Sequence, residues 1–301
     1  MGDWEIRIQM PSGSVMGGKY RETDQTPAVF NTGMVLLGWS ALIKRTGAER
    51  FKQAARRAAD WLVDIQEPSG DWVRGRSRFA MDGPGVYRVM VAWGLCEAGI
   101  VLGEERYIEA ALSSAQFCLS RQHPNGWLAD CCLSDPRRPL LHTLAYAMQG
   151  LISVGRLTGR QDIIAGAQRL ADAQLRIMNP DGYLPGRQDS SFAPAVKWAC
   201  PTGTAQTSIV WSELLALTGD DRYRVAVARA NRWLMAHHDI RNRDPRLRGG
   251  ISGSWPVDGS YRRLEVINWG TKFFVDALWR EQQDATYRAD EISMDRELVV
   301  A

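Results

Sequence analysis

The chain has only four histidines and five cysteines in 301 residues, and neither set is spaced to hold a metal. Cys131 and Cys132 are adjacent, as are His237 and His238, and adjacent side chains on one helix do not face each other. An odd number of cysteines at uneven intervals makes no disulfide framework, so the thiols read as reduced and the protein as cytoplasmic. No apolar run is long enough to span a bilayer, and Met1-Gly-Asp-Trp-Glu-Ile-Arg7 lacks the apolar centre of a signal peptide. The glycine signatures of dinucleotide and P-loop folds are missing, so no cofactor is expected. The one adjacent aspartate pair, Asp220-Asp221, lies at a glycine turn, which argues against a cyclase with an aspartate-rich acid motif. The net charge is only +3, and the densest basic stretch, Arg241 to Arg248, is broken by Asp244. It reads as a solvated loop, and neither nucleic acid nor membrane is an expected partner.

What the chain does have is repetition. Asp3-Trp4 through Gln9, Pro11 and Gly13 aligns without a gap on Asp60-Trp61 through Gln66, Pro68 and Gly70. Gln122-His-Pro124-Asn-Gly126-Trp127 is a third copy, and Asn179-Pro180-Asp181-Gly182-Tyr183 a diverged fourth. A second marker interlocks with the first at Gly47, Gly103, Gly159 and Gly219, spaced 56, 56 and 60 residues apart. A glycine directly after an apolar helical run is a left-handed C-terminal cap, and a Pro-x-Gly segment ends the next helix. Each repeat is therefore helix, glycine turn, helix, Pro-Gly loop.

The two helices of a repeat differ in kind. Phe30 to Ile43 and His142 to Val154 are apolar nearly all round, so they must be buried on all sides. Glu49 to Leu62 is amphipathic, with Phe51, Ala54, Ala55, Ala58, Trp61 and Leu62 on one face. The spacing predicts inner helices over about 30–44, 86–101, 142–157, 203–217 and 267–279, and outer ones over about 49–66, 105–121, 161–176 and 221–237. The expected fold is all-α, a single domain over 1–301 built as an incomplete (α/α)n toroid of about five helix pairs, like an (α/α)6 barrel. The first marker copy starts at Asp3, so the chain reads as starting mid-repeat. A ring edge left bare in this way predicts a homodimer that covers it.

Aligning the inner helices on their closing glycines brings polar residues into register. Asn31, Tyr87, Thr143 and Gly203 share one position, with His142 and Thr202 one residue earlier and Arg88 one later. Met34, Met90, Tyr146 and Gln206 share the position one turn on. The fifth inner helix opens with Asn268 and Trp269, with Lys272 following. N-capping accounts for Asn31 and Thr202 but not for His142, Tyr146, Arg88 or Lys272. With Arg88 and Lys272 beside converging helix N-termini, the expected ligand is an anion. Trp72, Trp127, Trp198, Tyr183, Trp255, Tyr261 and Trp269 fall in or near the loops at that end, where flat rings suit sugars or simply pack. Asp130, Asp135, Asp181, Asp189 and Asp258 supply loop carboxylates for a glycoside hydrolase, and no pair stands out.

Phe30-Asn-Thr-Gly, Tyr87-Arg-Val, His142-Thr-Leu-Ala-Tyr146, Thr202-Gly-Thr-Ala-Gln206, Gly249-Gly-Ile-Ser-Gly-Ser and Asn268-Trp-Gly-Thr-Lys-Phe-Phe274 together resemble a bacterial group found with polysaccharide biosynthesis genes. That group is similar to the C-terminal domain of D-glucuronyl C5-epimerases and, more distantly, to prenyltransferase-type toroids. Its longer members carry a further helix pair in front, with a Pro-Glu-Thr-Thr-Gly-Tyr-like stretch that this chain lacks. The resemblance implies an acidic glycan as substrate and removal of the C5 proton of a uronosyl unit, as an epimerase or a lyase would do. Tyr146 or His142 would be the base and Arg88 or Lys272 the partner of the carboxylate. Asn31, Tyr87, Gln206 and Asn268 would bind substrate, with Trp127, Trp255, Tyr261 and Trp269 as stacking surfaces. A glycoside hydrolase and a non-catalytic glycan- or protein-binding toroid are the alternatives.

Overall fold

The computed structural model describes residues 1–18, 25–76, 80 and 82–300, with side chains through Asp284. The chain divides into two compact units, Met1–Leu170 with Asp189–Ser191, and Ala171–Gln188 with Phe192–Ala301.

The first unit holds α1 (Gly2–Ile8), α2 (Val29–Thr46), α3 (Glu49–Asp64), α4 (Val89–Leu102), α5 (Glu105–Ser120), α6 (Leu141–Thr158) and the first part of α7 (Gln161–Ile177). A single 3₁₀ turn, Val86–Arg88, leads into α4. The helices expected to be inner are the buried ones. Of Leu141–Gly155 in α6, every residue but Tyr146 is buried. The outer helices α3 and α5 bury one face, Phe51, Ala54, Ala55 and Ala58 in the former and Tyr107, Ala111 and Ala115 in the latter. Inner helices approach backbone to backbone. A Cβ on Gly94 would stand 2.2 Å from the Gly33 carbonyl oxygen, and one on Gly150 would stand 2.5 Å from that of Val89. At the α2 end of this row, Met34, Val35 and Leu37 are only half-buried.

The repeat seen in the sequence is a repeat of hydrogen bonds. Nε2 of Gln9 donates to the carbonyls of Gly13 (2.7 Å) and Ala54 (3.0 Å). Gln66 does the same to Gly70 (3.1 Å) and Ala110 (3.0 Å), and Gln122 to Gly126 (3.2 Å) and Gly166 (2.8 Å). Each glutamine thus ties the end of one outer helix to the middle of the next. The two glycine markers differ in how tightly they are held. Gly70 sits at φ +92° with a would-be Cβ 2.4 Å from the Ser113 carbonyl oxygen, whereas Gly47 sits at φ +64° with nothing within 4 Å. Gly47→Ala is therefore expected to cost about 1 kcal/mol. Gly70→Ala, which adds a backbone clash to the strain, is expected to cost about 3 kcal/mol or more. Urea denaturation of the two variants checks this, and equal losses would contradict it.

The second unit holds the rest of α7, α8 (Pro201–Thr218), α9 (Asp221–Ala236), the antiparallel strands β1 (Ile251–Ser252) and β2 (Val266–Ile267), and α10 (Asn268–Val300). Asn231 of α9 is its buried polar hub, hydrogen-bonded to Ser208 of α8 (2.8 Å) and to the carbonyl of Ala277 (3.3 Å) and the Glu281 carboxylate (2.7 Å) of α10. The last helix runs well past the expected end near 279. No glycine or proline follows to stop it, and Glu281 onward is rich in helix formers. The basic stretch at 241–248 is a loop that pairs with itself, as in Arg246–Asp244 at 2.7 Å. Among the described residues no helix is long and apolar enough to cross a membrane.

The capping reading of Asn31 and Thr202 is corrected. The N-caps of α2 and α8 are Ala28 and Cys200, neither with a side-chain cap bond. Asn31 instead donates to the Met16 carbonyl at 3.0 Å, pinning the preceding loop to α2. Thr202 is wholly buried, and its hydroxyl finds no partner among the described residues.

Candidate active site

In the first unit, the N-terminal ends of α2, α4 and α6 bring four rings together. Phe30 lies 6.1 Å from Tyr87 and 4.8 Å from Tyr146, ring centre to ring centre. Tyr146 lies 4.4 Å from His142, one helical turn before it on the same face. His142 and Tyr87 are buried, and Tyr146 is half-buried. Burial pushes the Tyr87 phenol above its ordinary value, against the lowering pull of Arg88 beside it. The sequence thus placed Tyr87, His142 and Tyr146 in one cluster. It did not name Phe30, the ring that joins them.

Arg88 stands next to this cluster, its guanidinium 5.7 Å from the Tyr87 ring. It was expected to partner a substrate carboxylate, and in the structure its guanidinium is paired within the protein. Nε and Nη2 both donate to Asp71, at 3.1 Å and twice 2.9 Å, and both side chains are buried. A charged guanidinium taken out of water needs such a partner, and the carboxylate matches its fork. Asp71 is the residue that sequence reasoning missed. It directly follows Gly70 in the Pro-Gly loop, at the position Trp127 holds in the next copy, and that substitution within the repeat was the available signal.

Four of the five candidate loop carboxylates are engaged locally, and Asp258 is exposed. Asp130 pairs with Arg121 (3.4 Å) and Asp135 with Arg138 (2.8 Å), while Asp181 and Asp189 accept from Tyr183 and Ser191 N–H groups (3.0 and 2.9 Å). Trp127 is buried, its N–H bonded to Asn125 Oδ1 at 3.0 Å, so it packs and presents no open face. Asn31 and Phe30 border a groove of about 260 Å³ against α1, lined also by Trp4, Ile8 and Met16. Burial raises the Glu5 carboxyl on its rim.

The remaining expected residues lie in the second unit. Gln206 is buried in α8. Trp269 Nε1 donates to the Tyr261 hydroxyl at 3.1 Å, and the Arg262 guanidinium sits 5.4 Å from the Trp269 ring. Burial raises the Tyr261 phenol. Asn268 Oδ1 accepts the Trp269 N–H at 2.8 Å. Lys272 is exposed and pairs with Asp276 at 2.7 Å, so it too has a counter-charge, though a weakly held one. Trp255 packs on His237 at 4.8 Å and keeps 37% of its surface open. Among the described residues no cluster of three metal-ligating side chains occurs.

A row of buried inner helices, each followed by an amphipathic outer one and carrying its polar groups at the N-terminal end, defines an α/α toroid. No family model and no curated protein matches the chain in sequence. Solved structures match it in fold. The unsaturated glucuronyl hydrolase of Bacillus sp. GL1 is similar with a TM-score of 0.67 at 18% identity, over 83% of this chain and 74% of that one. A sugar epimerase from a ruminal bacterium is similar at 0.72 and 10% identity, over 98% and 82%. A polysaccharide lyase is similar at 0.60 and 13%, over 84% and 73%. At such identities the likeness establishes the fold, and it is the α/α toroid expected from the sequence.

Proposed function

We propose that the protein is a carbohydrate-active enzyme that removes the C5 proton of a uronosyl unit in an acidic glycan, as an epimerase or a lyase. The observation that carries this is the incomplete burial of Tyr146. In a stretch where every other residue from Leu141 to Gly155 is buried, one tyrosine is only half-buried, and its ring lies against an imidazole at 4.4 Å, tilted by 47°. A tyrosine or histidine at such a position is the kind of base that α-carbon proton abstraction requires. The fold is shared with a glucuronyl hydrolase, an epimerase and a lyase, all acting on sugars, which supports the substrate class.

In this reading His142 first accepts the Tyr146 phenol proton, and the resulting phenolate removes the C5 proton and returns to the neutral phenol. The substrate carboxylate must be stabilised as the carbanion forms. Arg88 is committed to Asp71, so that duty falls first on the N-terminal turn of α6, which has no side-chain cap. A hydrolase is the second reading, favoured by the fold shared with a glucuronyl hydrolase. The two are separated by incubating the protein with glucuronate-containing oligosaccharides and their neutral counterparts. The expected result is an unsaturated or C5-inverted product from the acidic chains alone. Equal cleavage of both would remove the proton-abstraction reading.

A further inference from the structure

The loop between α9 and α10 carries a groove of about 290 Å³, lined by Trp255 but by none of the residues given a part in the proton transfer. Its platform is a run of three rings in tilted contact. Trp233 of α9 lies 4.3 Å from His237, and His237 lies 4.8 Å from Trp255. His237 Nδ1 donates to the Trp233 carbonyl at 2.7 Å, which fixes the middle ring. The Trp255 backbone exchanges two hydrogen bonds with Ala199, at 3.0 and 2.8 Å. The indole is thus held from behind with 37% of its surface open, whereas Trp39, Trp72 and Trp211 are fully buried.

The groove's wall is apolar and open. Leu247, Val257, Leu264 and Val266 are 42%, 43%, 65% and 41% exposed. A soluble surface does not gather such side chains around one groove without a ligand to cover them. Leu264 adds an independent sign. Its φ is +59°, a conformation that costs a bulky residue about 1–3 kcal/mol. Burial returns none of that cost, since the side chain points outward, yet a 2.8 Å bond from its N–H to Val257 holds it there. Strain kept at the lip of a groove marks a residue placed for contact.

The polar side decides what the groove takes. Asn242 Nδ2 donates to Asp239 Oδ2 at 2.7 Å, and Asp239 Oδ1 accepts the Arg241 N–H at 3.1 Å, so both side chains are fixed. Glu265, paired with Arg262, lies on the same rim. A flat indole flanked by a set carboxylate and amide matches a pyranose, whose C–H face stacks while its hydroxyls donate. Arg262 offsets Glu265, so the Asp239 carboxylate is the charge left facing the groove, and it disfavours a uronate here. The volume is just under the ~300–1,000 Å³ of small-molecule pockets and suits one sugar residue.

We propose that this groove is a subsite for a neutral pyranose residue of a glycan chain, with Trp255 as stacking platform and Asp239 and Asn242 as hydroxyl partners. The test uses the full chain labelled with 5-fluorotryptophan, the Trp255 resonance being the one missing from Trp255→Phe. Cellopentaose, mannopentaose and N-acetylchitopentaose are titrated alongside a galacturonate pentamer. At least one neutral chain should shift the Trp255 resonance, and the galacturonate should not. Trp255→Ala should weaken that neutral binding about tenfold. Should that variant not fold, Asp239→Asn and Leu264→Gly carry the test, each expected to weaken binding. Tyr146→Phe should leave it unchanged, which separates this proposal from the proton-abstraction reading. A Trp255 resonance unmoved by every neutral chain, a stronger response to galacturonate, or unaltered affinity in all folded groove variants would overturn it.

Discussion

Turnover of an acidic oligosaccharide is expected to fall about 10³-fold in Tyr146→Phe while its affinity stays nearly unchanged. The substitution removes one hydroxyl and keeps the ring, so the contacts at 4.4 Å to His142 and 4.8 Å to Phe30 remain. Binding, which rests on those surfaces, should survive, and only the proton transfer should be lost. Steady-state kinetics that give kcat and KM separately make the distinction. A loss confined to KM would mean that the phenol binds substrate and the base lies elsewhere. His142→Gln would then be the variant to lose kcat, since the imidazole is the other group in the cluster able to take a proton.

The second large effect concerns stability. Arg88→Ala leaves the Asp71 carboxylate buried without its counter-charge, and Asp71→Ala does the same to the guanidinium. Each is expected to cost about 3–5 kcal/mol, because an unpaired buried ion loses its hydration and gains nothing in return. Replacing both, as Arg88→Met with Asp71→Leu, should recover most of that loss. Denaturant midpoints of the three variants test it. If Arg88→Ala were instead as stable as the parent and failed only to bind acidic chains, the guanidinium would be serving substrate rather than Asp71.

The parts of the fold that were legible in the sequence are those where one residue type has one backbone use. Gly47, Gly103, Gly159 and Gly219 all take the left-handed conformation, at φ +64°, +69°, +72° and +69°, and so they announced the helix ends. The contrast between a charge-free and an amphipathic helix likewise has one physical meaning. Asn31 and Thr202 were misread because capping depends on which residue turns extended, and Ala28 and Cys200 did so without any side-chain bond. The meaning of Asp71 depends on Arg88, seventeen residues away, and no local pattern links them. Trp255 was named in the sequence as a candidate stacking surface, yet the rings behind it, His237 and Trp233, come from the end of another helix. Cluster membership along one helix, as for His142 and Tyr146, was readable, while pairing across loops was not.

If the chemistry begins with loss of the C5 proton, solvent deuterium reports on that step directly. A glucuronate-containing oligosaccharide would be incubated with the protein in D₂O and its products examined by NMR and mass spectrometry. The expected result is deuterium at C5 of the epimerised or recovered uronosyl unit, or an unsaturated end where that proton was, and neither product with Tyr146→Phe. Cleaved chains that keep the original C5 proton and carry no unsaturation would contradict it.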